Sequence, residues 1–282
     1  MSELIFEPMS VGGILDQAFR LYRQRFARFL AIVAIIQVPM YLLLMGCMVL
    51  MLVGVMRLQG GEGREFPIEF VAIMGVSYIL YILVLLVGQQ LSTAALFKGV
   101  SESYLGRDVS VGQAYRFVLP KALSLIGAAL LVGLITLAGY VLCIVPGVIF
   151  SLWYALTAPS IIIENCGAIG GMARSKQLAS GNLGRIFLVL LVMVLISWVF
   201  TIMFQIGGQY LTTFLLADEP LAAAVVQQLF QMIPAILIMP VTAAAIVLLY
   251  YDLRIRKEGF DLEMLAERLA SAEAPGANQP GA

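Results

Sequence analysis

The chain contains no histidine. The commonest general base and the commonest metal ligand are therefore missing. A Ser-His-Asp triad, a Cys-His pair and an HExxH zinc motif cannot be built from it. Charge is scarce as well: Asp, Glu, Lys and Arg make up 12% of the 282 residues, against roughly 25% in a soluble domain. The three cysteines, Cys47, Cys143 and Cys166, lie far apart and fit neither a CxxC metal spacing nor a disulfide framework. They read as small buried hydrophobes. The opening residues MSELIFEPMS lack the basic stretch, short apolar core and cleavage site of a signal peptide, so the first apolar helix is expected to act as an uncleaved insertion signal. Walker A, GxGxxG and GxSxG motifs, glycosylation sequons and lipidation boxes do not occur.

What the chain has instead is apolar sequence, 61% of it. A membrane-crossing helix needs about 20 apolar residues. Six spans are read, at about 29–56, 70–97, 122–143, 147–163, 186–207 and 232–251. The first is longer than a bilayer core and is expected to tilt or bend near Pro39. The region 122–163 is too long for one crossing and has no polar loop. Its one turn signal is Val145-Pro146-Gly147, so two crossings joined by a tight turn are expected there.

Charge placement tests that division. Arg20, Arg23, Arg25 and Arg28 precede the first span, and Lys98 follows the second. Arg107, Arg116 and Lys121 precede the third, Arg174, Lys176 and Arg185 follow the fourth, and Arg254, Arg256, Lys257 and Arg268 follow the sixth. The positive-inside rule puts all of these on the cytoplasmic side when both termini are cytoplasmic. Only Arg57 and Arg64 fall outside, beside Glu62, Glu65 and Glu69. The fold class expected is an all-α polytopic membrane protein, one membrane domain over 1–269.

Three connectors share a plan. SVGGILDQAFRLYRQRF from Ser10, SVGQAYRFVLPKALSL from Ser110 and AIGGMARSKQLASGNLGRIFLVL from Ala168 each form a short basic stretch that enters a span. In the first, Val11, Leu15, Phe19, Tyr22 and Phe26 recur at helical spacing. In the second, Ser110 and Gln113 fit a capping box. In the third, Gly181-Asn182 suits a helix stop. Interfacial amphipathic helices are expected at about 10–27, 110–118 and 168–180, lying flat with Arg and Lys near anionic headgroups. They suggest a threefold repeat of one interfacial helix and two spans.

The sixth span ends in LLYYDLRIRKEGFDLEML. Tyr250 and Tyr251 suit an aromatic belt. Asp252 with Arg256, and Arg254 with Glu258, stand at i,i+4. Gly259 breaks the helix, and a further amphipathic helix is expected at 261–270, before a polar, disordered tail at 271–282. The motif serves as a stop-transfer anchor. Its functional reading is a polar cluster at the cytoplasmic face, made of Glu164, Arg174, Asp252, Arg254 and Arg256.

This exit motif resembles the C-terminal signature of the membrane-domain family named after glycerophosphoryl diester phosphodiesterase. APSIIIENCGAIGGMARSKQL resembles the same family through Pro159, Glu164, Gly167, Arg174, Ser175 and Leu178, and SVGGILDQAFRLYRQRF resembles its N-terminal segment. The resemblance covers nearly the whole chain to about Leu269. It implies the cytoplasmic membrane of a prokaryote. In the family's namesake the membrane part accompanies a separate catalytic domain that depends on histidine and metal-binding carboxylates. Without histidine, phosphodiesterase activity is not expected here.

The six spans hold no Asp, Glu, Lys or Arg, which argues against an ion-coupled pump. Their polar residues are amides and hydroxyls, chiefly Gln37, Gln89, Gln90, Thr93, Thr201 and Gln205, suited to interhelical hydrogen bonding. Gly88/Ser92 and Ala129/Gly133 are small-xxx-small packing pairs. Pro39, Pro146, Pro159, Pro234 and Pro240 are tolerated in membrane helices, and also occur where helices line substrate sites. Gln227, Gln228 and Gln231 suggest an external interfacial helix.

The expectation is a non-catalytic membrane scaffold or accessory protein with a link to lipid or envelope metabolism. It is expected to have no cofactor, metal or nucleic-acid partner, and to contact membrane lipids and a protein partner through the C-terminal amphipathic helix. The alternative is a transporter or lipid-translocating protein, with a cavity between spans lined by Gln37, Gln89, Gln90 or Gln205.

Overall fold

A computed structural model describes residues 9–59 and 68–258, the side chains of 57–59 apart. The helix expected at 261–270, the tail at 271–282, Glu62, Arg64, Glu65 and Arg268 lie outside the described residues, and so does the side chain of Arg57. Those that are described fold almost wholly as helix, with no strand among them. Ten α-helices follow in order: α1 Val11–Gln24, α2 Phe26–Gln59, α3 Ile68–Tyr104, α4 Val111–Val118, α5 Ala122–Leu142, α6 Ile144–Tyr154, α7 Thr157–Ile163, α8 Ala168–Ala179, α9 Leu183–Leu215 and α10 Pro220–Glu258. A 3₁₀ turn, Leu119–Lys121, joins α4 to α5. Among the described residues six stretches are long and apolar enough to cross a membrane: α2, α3, α4–α5, α6–α7, α9 and α10. The chain is an all-α, multi-pass membrane protein by this measure.

Local sequence explains where the short helices begin. Ser10 accepts the Gly13 N–H at 3.0 Å and caps α1. Ser110 and Gln113 form the reciprocal box at the start of α4, each satisfying an otherwise orphan backbone N–H. α8 ends at Ala179, and Gly181 follows with φ +82°, a conformation that suits glycine. Asn165 turns the chain between α7 and α8 with φ +58°, which an Asn tolerates better than most residues.

Several helices run past their expected ends. α10 has 39 residues, roughly 58 Å at 1.5 Å per residue, more than the roughly 45 Å of a bilayer with its headgroups. Gln227, Gln228 and Gln231 belong to this one continuous helix, so the separate external helix expected there is corrected. Pro39 sits inside an unbroken α2.

The turn inside 122–163 is also corrected. It falls at Cys143, a single extended residue between α5 and α6, not at Val145-Pro146-Gly147. Pro146 occupies the first turn of α6, where its missing N–H forgoes no intrahelical bond. Gly147 serves packing: a Cβ there would lie 2.4 Å from the Tyr140 ring. A Cβ on Gly139 would lie 3.0 Å from the Gly147 Cα. α5 and α6 are thus drawn together backbone to backbone. Cys143 is exposed, Cys166 half-buried and Cys47 buried, so only Cys47 fits the buried role expected of all three. Gly133 faces open space, whereas a Cβ on Gly88 would meet Ile36 at 2.9 Å. Of the two small-residue pairs, only the one containing Gly88 packs within the chain.

α10 is the central helix. Its half from Val241 to Ile255 is almost continuously buried, and it packs against α9, α2, α1 and α3. Buried side chains include Ile14, Phe29, Ile32, Leu96, Leu248, Tyr250 and Tyr251. The outer faces of α3, α5 and α9 remain apolar and exposed, for example Val76, Leu134 and Trp198, as helices facing lipid require.

Candidate functional site

The end of α10 is fixed to three other parts of the chain. Asp252 is fully buried. It accepts the Met9 N–H at 2.8 Å and the Arg256 Nε–H at 3.1 Å. Arg185, at the start of α9, brings Nε within 2.7 Å of Oδ2, the same oxygen that accepts from Arg256. That N–H is not aimed along the contact, so the pair is ionic rather than a directed hydrogen bond. Arg256 also donates to the Met9 carbonyl at 3.0 Å, as does Arg185. One carboxylate and one peptide unit are thus held between two guanidinium groups, and the described N-terminus lies against the end of α10.

The opposite face of the same helix carries a second cluster. Arg174 Nε–H lies 2.8 Å from both oxygens of Glu164, and Arg174 also donates to Glu258 at 2.6 Å. Arg254 lies 3.2 Å from Glu258 and 3.6 Å from Glu164. The Tyr250 hydroxyl donates to Glu164. The bond to Glu258, opposed by burial and supported by Glu164, holds the Arg174 guanidinium charged above its ordinary range. Replacing Tyr250 by Phe removes a donor to Glu164 and nothing else. It should lower stability by about 1–2 kcal/mol, read as a drop in thermal midpoint in detergent; an unchanged midpoint would show that the phenol bond contributes nothing.

The five residues singled out from sequence therefore divide. Glu164, Arg174 and Arg254 meet, Asp252 and Arg256 meet, and the helix separates the two groups. Glu258, Arg185, Tyr250 and the Met9 backbone complete the clusters. Of these, Glu258 was legible only as an i,i+4 partner of Arg254, and Tyr250 only as an interfacial aromatic.

α8 has a further task at this end. α6 and α7 are interrupted at Ala155-Leu156. The buried Ser175 hydroxyl donates to the Trp153 carbonyl at 2.7 Å and accepts the Leu156 N–H at 3.1 Å, so it stitches the break. Gly171, one turn earlier, lets α8 approach: a Cβ there would meet Ile161 at 2.4 Å. Gly171, Arg174, Ser175 and Leu178 thus form the docking face of α8. The Ser175 hydroxyl is buried and engaged with two backbone groups, and Lys176 points elsewhere, over the Trp153 ring at 4.8 Å. Burial, with the Glu164 charge, pushes the Cys166 thiol up, so it stays protonated and weakly reactive.

All described Lys and Arg side chains lie at this end of the bundle, on α1, α4, α8, the adjoining ends of α2, α3, α9 and α10, or the connectors that carry Arg25, Arg107 and Lys121. Arg25 and Arg28 both contact Asp108, and Lys98 pairs with Glu102 at 2.5 Å. The other end carries only the acids Glu69, Asp218 and Glu219 among described residues.

Between the ends lies a cavity of about 560 Å³ bounded by α2, α3, α9 and α10. Its polar wall comprises Gln37, Gln89, Thr93, Ser197, Thr201, Gln231 and Thr242, with the phenols of Tyr41 and Tyr81. Gln90 instead borders a smaller cavity of about 130 Å³ beside α5 and α7, and Gln205 lines neither. Among the described residues no group of three or more potential metal ligands converges. No protein-family model, curated protein or solved structure matches this chain.

Proposed function

We propose that the chain is a non-catalytic scaffold or accessory protein of a prokaryotic cytoplasmic membrane, related to the glycerophosphoryl diester phosphodiesterase membrane domains and working in lipid or envelope metabolism. One observation carries this reading: every described Lys and Arg side chain lies at one end of the bundle, where ion pairs hold segments together. Asp252 and Glu164 are each shared by two arginines, an arrangement that fixes structure and commits these two carboxylates to ion pairs rather than to proton transfer.

The same asymmetry supports cytoplasmic placement of both termini by the positive-inside rule. α1, α4 and α8 are then interfacial helices. α1 buries Ile14, Ala18 and Leu21 against the bundle, while Phe19 on α1 and Phe26 at the start of α2 stay exposed near Arg20 and Arg23, the pattern of a helix lying at a headgroup boundary. Each of the three precedes two spans, which supports the threefold repeat. Exposed Arg20, Arg23, Arg116 and Lys176 are the contacts offered to anionic lipid or a protein partner, together with the amphipathic segment 261–270.

Native mass spectrometry of the full chain, gently extracted from its own membrane, tests the scaffold. A stoichiometric protein partner should co-extract and be lost when 260–269 is deleted. Recovery of the chain alone, with and without prior cross-linking, would end this reading.

The cavity favours a second reading, lipid translocation. Reconstituted vesicles carrying a fluorescent lipid analogue should then show faster flip-flop than protein-free vesicles; equal rates would dismiss it for the lipid tried.

A further inference from the structure

The cavity has a chemistry that narrows what it can hold. Its lining runs along α10 from Gln231 to Ile246 and along α3 from Tyr81 to Phe97. That is roughly 22–24 Å of helix axis, near the middle of both helices. The space is therefore a slot along the bundle axis, within the roughly 300–1,000 Å³ of small-ligand sites. Its walls are mainly apolar, and no Asp, Glu, Lys or Arg lines it. A charged head would enter without a counter-ion, which a low-dielectric site disfavours strongly.

The polar groups of the slot are unevenly satisfied. Gln37 is 3% exposed. Its Nε2 donates to Gln89 Oε1 at 2.7 Å and lies 3.4 Å from the Met239 sulfur. Its Oε1 has no partner and is buried. Thr93 donates back to the Gln89 carbonyl at 2.8 Å, and Ser197 to the Met193 carbonyl at 2.7 Å. These hydroxyls have spent their protons and present lone pairs. Gln37 Oε1 is thus a buried acceptor without a donor at the wall of a mainly apolar slot. Turning both amides over would leave a Gln37 N–H unpaired instead, and a hydroxyl satisfies either arrangement.

Proline placement agrees. Pro234 lines the slot, Pro240 follows the lining residue Met239, and Pro39 precedes the lining residue Met40. Each removes a backbone donor from the helical ladder, and all three lie beside the same cavity.

We infer that this slot binds a neutral lipid with an alcohol head, its hydroxyl donating to Gln37 Oε1 and its hydrocarbon filling the apolar length. The inference rests on the chain spanning a membrane, and it concerns occupancy alone. It stands whether or not lipid is moved, and whether or not a protein partner exists.

The test uses the full chain purified in lauryldimethylamine oxide, a detergent without hydroxyls. Dioleoylglycerol, its methyl ether, dodecaprenol and dioleoylphosphatidic acid are offered at equal concentration, and retained lipid is counted by native mass spectrometry. One molecule of dioleoylglycerol or dodecaprenol per chain is expected, about tenfold above the ether and the phosphatidic acid, as one hydrogen bond would give. Whichever alcohol is retained identifies the source of the head. Gln37→Leu should erase the preference for alcohol over ether, while Thr136→Val, outside the slot, should keep it. Equal retention of alcohol and ether by the unaltered chain overturns the inference. So does preference for the phosphatidic acid, absence of any retained alcohol, or a folded Gln37→Leu protein that still discriminates. Should Gln37→Leu not fold, the comparison of alcohol with ether on the unaltered chain decides alone.

Discussion

Asp252→Ala should lower the thermal midpoint of the purified chain by on the order of 10 °C. The carboxylate is fully buried and is the acid shared by Arg185 and Arg256. Removing one partner of a buried ion pair costs roughly 3–5 kcal/mol, because the remaining charge is left uncompensated, and each kcal/mol shifts the midpoint by a few degrees in a chain of this size. The Met9 N–H loses its acceptor as well. Asp252→Asn keeps an acceptor for that N–H and should cost less than alanine. In the double variant Asp252→Leu with Arg185→Leu, much of the loss should be recovered. Arg185 no longer seeks a counter-ion, and Arg256, the more exposed arginine, can turn to water. An Asp252→Ala protein that melts within a degree of the unaltered chain would refute the view that this carboxylate fastens the N-terminal residues to α10.

The second large effect concerns the α5–α6 corner. Gly139→Ala places a methyl group 3.0 Å from the Gly147 Cα and 3.1 Å from the Gly147 nitrogen, besides 2.7 Å from the Phe150 ring. Backbone cannot rotate away as a side chain can, so the two helices must separate, at a cost of about 1–3 kcal/mol. Gly147→Ala meets only the Tyr140 ring within the closest contacts. The pair makes a contrast measurable by thermal unfolding. Tyr140→Ala should restore most of what Gly147→Ala loses, while Phe150→Ala should restore little of what Gly139→Ala loses. Equal rescue in both cases would mean that side-chain crowding, rather than backbone approach, sets the spacing. Gly127→Ala, which meets open space, supplies the baseline, the helix-propensity gain of about 0.5–1 kcal/mol that alanine brings without a clash.

Both effects sit on features of unequal visibility in the sequence. Six crossings were legible because burial in lipid demands long apolar runs, and α2, α3 and α9 state it without ambiguity. The corner was misplaced because Pro146-Gly147 carries the strongest turn signal in the region. Proline is equally at home in the first turn of a helix, and glycine equally serves close packing. Nothing local marks the break at Ala155-Leu156, which depends on a hydroxyl supplied by Ser175.

The polar residues divide in the same way. Pairs four apart on one helix, Asp252 with Arg256 and Arg254 with Glu258, follow from helical geometry alone. The same geometry turns Asp252 and Arg254, two apart, to different faces, and from this the single expected cluster could have been read as two. The long-range partners Arg185 and Met9 have no periodic signature, because their contact with Asp252 is set by how α1 and α9 dock. For the cavity, Gln37 and Gln89 were named beside Gln90 and Gln205. One step along a helix rotates a side chain by about 100°, enough to send Gln90 to a different cavity from its neighbour.

The separation of charge from the middle of the bundle has an electrical consequence. A charge carried through the full membrane potential gains about 2.3 kcal/mol per 100 mV. Here every described ionised side chain is at an end of the bundle, and the lining of the central slot has none. A rearrangement of α2, α3, α9 or α10 confined to the slot moves no formal charge through that field. Filling or emptying it with an uncharged molecule should therefore proceed at the same rate in an energised cell as in a depolarised one.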